Sequence, residues 1–113
     1  MEVSKLYRIE KLIYVKISDN HIPYIKGLVV SGPKGGKYCL DEFNIGILAL
    51  NMYNMNSGQT TLAVNRLLRE IGDRKLPVEF ISNPDTSIRR FGTPLYRKSG
   101  MEYTKKIAKD VVI

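Results

Sequence analysis

The hydrophobic period changes along this chain, and that change restricts it to a mixed architecture. In residues 6–17, Leu-Tyr-Arg-Ile-Glu-Lys-Leu-Ile-Tyr-Val-Lys-Ile, β-branched and aromatic residues dominate. Ile13, Val15 and Ile17 alternate, which is the period of a half-buried strand. In residues 60–71 the apolar positions Val64, Leu67, Leu68 and Ile71 fall at i, i+3, i+4 and i+7. That is the stripe of an amphipathic helix, and Asn65, Arg66, Arg69 and Glu70 occupy its other face. A strand period followed by a helix period requires a sheet with at least one helix laid against it.

The rest of the chain fills in this pattern. Ser18 to His21 is turn chemistry, and residues 22–30 read as a second strand with Pro23 at its start. The segment Ser31-Gly-Pro-Lys-Gly-Gly-Lys37 is a loop. Residues 38–55 are a long, largely apolar stretch and admit two readings. One is a strand from Tyr38 to about Tyr53 with a bulge near Gly46. The other is a helix with Asp41 as N-cap, running through Leu50, with Phe43, Ile47, Leu50 and Asn54 on one face. Gly72 is placed to stop the helix at 60–71. Val78 to Ile81 alternates as a short strand. Asn83 to Ser87 offers N-caps for a helix through Ile88 and Phe91, Pro94 opens a helical turn through Lys98 that Gly100 ends, and 101–113 reads as a last strand. The expectation is α+β: a single domain over residues 1–113, with a mixed, mainly antiparallel central sheet flanked by two or three helices.

Charge and the scarcity of special residues narrow the chemistry. The net charge is +7, and it is uneven. Residues 1–56 carry seven basic and five acidic side chains, residues 57–113 eleven and six. This excess favours a polyanionic partner, either nucleic acid or a phosphate-rich ligand such as coenzyme A. Cys39 and His21 are the single cysteine and the single histidine. They cannot form an intramolecular disulfide or supply the four ligands of a structural zinc site. Cys39 reads as a small buried hydrophobe and His21 as an exposed turn residue. No apolar run is long enough to span a bilayer and no secretory signal opens the chain, so a cytoplasmic location is expected, that of the host if the chain is virus-encoded.

Two loops invite a phosphate-binding reading. Gly36-Lys37 fails the Walker pattern, because Ser31 stands where the first Gly is needed and Tyr38 follows the Lys. Asn54-Met-Asn-Ser-Gly-Gln-Thr-Thr61 leads straight into the clearest helix, whose first N–H groups and dipole favour an anion. Plain capping by Ser57, Thr60 or Thr61 is the simpler account of the same residues.

The order of loop, amphipathic helix, strand and a late Leu95-Tyr96-Arg97-Lys98-Ser99-Gly100-Met101 resembles the C-terminal two-thirds of the GNAT N-acetyltransferase superfamily. Gly58 matches the central Gly of that family's cofactor loop, with Met55 in place of Gln or Arg and Thr60 in place of a second small residue. Tyr96, Lys98 and Gly100 match its late motif. The resemblance implies that acetyl-coenzyme A binds through Ser57, Gly58, Gln59, Thr60 and Thr61. It implies an amine or protein acceptor, and Tyr96 as the catalytic acid that protonates the departing thiolate. Activity is expected to be reduced, since the helices that shape the family's acceptor site have no counterpart before Ser18.

The rival reading is a winged-helix nucleic-acid-binding module. It takes 41–53 as a helix, 54–59 as a turn and 60–71 as the recognition helix, with strand 78–81 in a wing. Thr60, Thr61, Asn65, Arg66 and Arg69 would then face the groove, with Arg89, Arg90, Lys105 and Lys106 on phosphates. The state of residues 41–53 discriminates: a strand favours the acetyltransferase, a helix the nucleic-acid binder.

Overall fold

The computed structural model describes residues 5–82 and 88–113. Three strands open the fold: β1 (Tyr7–Val15), β2 (Tyr24–Ser31) and β3 (Lys37–Leu40). They pair antiparallel in sequence order. Two helices follow, α1 (Glu42–Met52) and α2 (Thr60–Asp73). Then come β4 (Val78–Ile81), a 3-10 turn at Ile88–Phe91, β5 (Thr93–Leu95), α3 (Arg97–Ile107) and β6 (Val111–Val112).

The sheet order is β4-β1-β2-β3-β5. Its centre is antiparallel and both edges are parallel, since β5 joins β3 and β4 joins β1 in parallel. The long strand β1 shares one edge between two short partners. β6 pairs with its first residues, Tyr7 and Arg8, and β4 with its last, Leu12 to Val15. The fold is thus α+β, with an open, mixed sheet and, among the described residues, three α-helices.

A register shift between Ile9 and Lys11 sets which residues of β1 face the helices. The extra residue resets the alternation. Ile9 and Leu12 join Leu28, Val30 and Leu40 in the main core under the helices. Ile13 and Val15 turn to the far face and meet Val29, Cys39, Ile81 and Phe91 in a smaller cluster. Cys39 and His21 stand as their sequence context suggests, Cys39 buried and His21 exposed. The strand alternation stops at Val15, and Ile17 lies beyond it, exposed.

The ambiguity at 38–55 resolves into both elements in succession. Residues 37–40 are strand, and Asp41 then caps a helix, its carboxylate accepting the Asn44 N–H at 2.8 Å. The chain had no clear period here because α1 is buried on nearly every side. Asn44, Ile45, Gly46, Leu48, Ala49 and Leu50 are all buried. The face expected from Phe43, Ile47 and Asn54 is not the core face. α1 lies against the sheet and touches both α2 and α3. Gly46 permits the approach of α2, since a Cβ there would lie 3.1 Å from the Thr60 methyl.

Three boundaries differ from expectation. α2 runs through Gly72 to Asp73, and the left-handed residue beyond it is Lys75, with φ of 55°. Residues 93–95 are a strand rather than the start of a helical turn, because Pro94 takes an edge position beside Cys39 in the β3–β5 ladder. Residues 97–107 are helix, and only Val111–Val112 is strand. The buried positions of α3 are Gly100, Thr104 and Ile107, at helical spacing, but two of the three are not apolar. Gly100 is inside α3, where a Cβ would collide with the Asn44 amide. Phe91 ends the 3-10 turn that closes the far face. The capping positions expected at Asn83 to Ser87 lie outside the described residues.

Candidate nucleic-acid interface

α2 has two unlike sides. Ala63, Leu67 and Ile71 are buried against the core at i, i+4 and i+8. Thr61, Asn65, Arg66 and Arg69 are exposed. At 100° per residue these four cover an arc of about 140° that faces away from the core. Arg74 and Lys75, both exposed, extend the basic character past the end of the helix. They were not singled out in the sequence, although two adjacent cations beyond a helix end are a legible signal.

The turn between the helices fixes how this face is presented. Asn54 takes a positive φ of 53°, and Met55 N–H bonds the Leu50 carbonyl at 2.8 Å. The Arg66 guanidinium lies over the Tyr53 ring at 4.3 Å and reaches Glu70 at 3.9 Å. Arg66 is thereby oriented on the turn, whereas Arg69 makes no ion pair among the described residues. Burial, followed by the nearby Glu70 charge, pushes the Tyr53 phenol up to about 12, with Arg66 opposing.

The cofactor residues implied by the acetyltransferase resemblance occupy this same turn. Ser57, Gly58 and Gln59 form a short 3-10 turn capped by Asn56. The Asn56 side chain accepts the Gly58 N–H at 3.1 Å, and the Asn56 carbonyl accepts the Gln59 N–H at 2.9 Å. The Asn56 N–H in turn donates to Gln59 Oε1 at 3.0 Å. This is a complete capping box. The amides of Gly58 and Gln59 therefore have protein partners. Thr60 donates its hydroxyl to the Ser57 carbonyl at 2.8 Å and turns its methyl towards Gly46. Thr61 is exposed on the basic arc. The loop follows a helix here, not a strand. The cap is Asn56 rather than Ser57, Thr60 or Thr61. The Asn-x-x-Gln spacing that marks it is plain in the sequence.

Tyr96 lies elsewhere. Its ring is 65% exposed, and its carbonyl accepts Asn44 Nδ2 at 3.1 Å and the Gly100 N–H at 2.6 Å. Asn44 thus faces Tyr96 while Gly46 faces Thr60. Two residues apart on a helix, these directions diverge by about 160°. Tyr96 and the Ser57–Thr61 turn are on different sides of α1. Glu42 stands at the start of α1, and Glu79 binds Lys11 at 3.5 Å and Arg90 at 3.1 Å on the far face of the sheet. Glu79 is thus apart from Tyr96, whereas Glu42 lines a cavity with Arg97, the residue that follows Tyr96.

The other basic residues of the nucleic-acid reading are not gathered round α2. Arg90 is tied to Glu79 and lies over Phe91 at 4.9 Å, on the face of the sheet opposite the helices. Lys105 and Lys106 are exposed on α3, across α1 from α2, and Arg89 is exposed beside Arg90. β4 is bound into the sheet and does not form a free wing.

Among the described residues, no three His, Cys, Asp or Glu side chains are grouped to hold a metal ion, and no helix is long and apolar enough to cross a membrane. No family model, curated protein or solved structure matches this chain.

Proposed function

We propose that the chain binds nucleic acid through the exposed arc of α2. The observation that carries this reading is the arc itself. Thr61, Asn65, Arg66 and Arg69 are displayed on a helix whose opposite side is fixed in the core. Arginine and small polar side chains on one rigid face suit contact with phosphates and base edges together. The helical state of residues 42–52 and the net charge of +7 support the same reading. The surface is a helix pair on an α+β core, so the proposal concerns the helix face and not a winged-helix domain.

The test is a titration of the protein with a short DNA duplex, and separately with coenzyme A. Duplex binding should weaken with rising salt and fall in the Arg66→Ala/Arg69→Ala variant. Binding of coenzyme A with amide shifts at Ser57 to Thr61, and no response to duplex, would instead favour the acyl-coenzyme A reading with Tyr96 as its acid.

A further inference from the structure

A second feature lies at the other end of the sheet. The β2–β3 loop, Gly32 to Gly36, folds back on itself through Gly32 N–H to the Gly36 carbonyl at 2.7 Å and Gly35 N–H to the Gly32 carbonyl at 3.0 Å. Tyr7, Gly32, Pro33, Lys34, Gly36 and Tyr38 line a cavity of about 210 Å³ beside it. Two tyrosine rings, a lysine and a loop nearly free of side chains make up its wall. The N–H groups of Lys34 and Gly36 are not used by the two bonds that close the loop.

The rings are set in place from behind. Tyr103 of α3 meets Tyr7 edge-on at 6.3 Å and Tyr38 at 4.9 Å. The Tyr103 hydroxyl is buried without a partner, and burial first, then the neighbouring Tyr7 and Tyr38 phenols, raise the Tyr103 phenol far above its ordinary range. The glycines keep the cavity open: a Cβ at Gly32 would lie 3.2 Å from the Tyr7 ring, and one at Gly36 would lie 3.3 Å from the Tyr38 hydroxyl.

We infer that this cavity binds an unpaired nucleobase against Tyr7 and Tyr38, with its phosphate on Lys34 and the loop amides. A flat ring stacks on tyrosine whatever its sequence, and a cation with free amides suits the attached phosphate. The site is separate from α2. Ile25 lines a cavity with Val64 of α2, while Gly32 lies seven residues further along, about 23 Å at strand spacing. The same chemistry is offered by a free nucleotide and by a single strand.

The test is nuclear magnetic resonance titration with uridine monophosphate, a short oligouridylate and ribose 5-phosphate. The two base-containing ligands should shift the amides of Lys34 to Lys37 and the ring signals of Tyr7 and Tyr38. Gly36→Leu, which fills the cavity from an exposed loop, should weaken both by about 5- to 100-fold. Lys34→Ala should weaken them by less. Tighter binding of the strand assigns the site to single-stranded nucleic acid, and equal binding assigns it to a free nucleotide; either supports the cavity. No shifts at millimolar ligand, equal binding of ribose 5-phosphate, or unchanged binding by Gly36→Leu would overturn it. The Arg66→Ala/Arg69→Ala variant should retain the monophosphate site, so failure of the α2 reading and failure of this one are told apart.

Discussion

α1 and α2 are consecutive helices of similar length, yet they face opposite problems. α1 is wedged between the sheet and two helices, and six of its eleven residues are buried. Three of the fourteen residues of α2 are buried, all on one stripe. The first helix is surrounded by protein and has almost no surface with which to meet a ligand. The second gives one side to the core and keeps an outer arc, mainly polar and basic but including the exposed Leu62 and Asp73, for solvent or a partner. The division assigns stability to α1 and recognition to α2, and substitutions in the two should separate accordingly.

The largest effect is expected in α1. Leu48 is fully buried at the centre of the main core. Leu48→Ala should destabilise the protein by about 2–5 kcal/mol, through lost burial and the cavity left behind. Chemical denaturation would measure it. A loss no larger than that of a surface substitution would break the comparison, since α1 would not then be the centre of the packing.

The strand that leads into α1 supplies a titratable probe of the smaller core cluster on the far face of the sheet. Burial first, and Asp41 second, push the Cys39 thiol up to about 11 from 9.0, with Lys26 opposing. The folded state retains the proton where the unfolded chain loses it. Stability is therefore unaffected below pH 9 and falls as pH rises from 9 through 11, by roughly 2–3 kcal/mol from this group. Denaturation at pH 8 and pH 11 on wild type and Cys39→Ala would isolate the contribution. An equal alkaline loss in the variant would remove Cys39 as its source.

A smaller effect is expected at the joint between the helices. Asn56→Ala removes the side-chain half of the capping box and should cost about 1 kcal/mol. Protection of the Gly58 amide from hydrogen exchange should fall with it. Unchanged protection would show that the box does not set the turn.

The two helices also differ in how far the sequence revealed them. α2 was legible because the stripe of Val64, Leu67, Leu68 and Ile71, with Ala63 beside it, meets the core and most of the remaining positions meet water. α1 was not, because a helix buried on several sides is apolar at every register and loses its period. α3 was misread for the opposite reason. Its buried positions include Thr104 and Gly100, and the lack of a side chain at Gly100 lets Asn44 reach the Leu95 and Tyr96 carbonyls at 3.1 Å. A stripe without large apolar residues leaves no hydrophobic signature. Of the residues proposed to meet a ligand, Asn65, Arg66 and Arg69 could be read from α2 itself. The Tyr7–Tyr38 cavity could not, because Tyr7 lies some 25 residues before the segment 32–38 and only the sheet brings the two stretches together. The separation of Tyr96 from Ser57–Thr61 by α1 was equally beyond a one-dimensional reading.

The smallest expected effect on stability belongs to the exposed arc, and it coincides with the largest expected effect on binding. Arg66→Ala/Arg69→Ala should change stability by about 0.5 kcal/mol or less, as surface substitutions usually do, despite the loss of the Tyr53 contact. The most direct measurement is the salt dependence of duplex binding by this double variant and by wild type, followed by fluorescence anisotropy. If both arginines contact phosphates, the slope of log affinity against log salt should drop by about two, with weaker binding at every salt concentration. The same affinity and the same slope in the two proteins would contradict the assignment of α2 as the nucleic-acid-binding face.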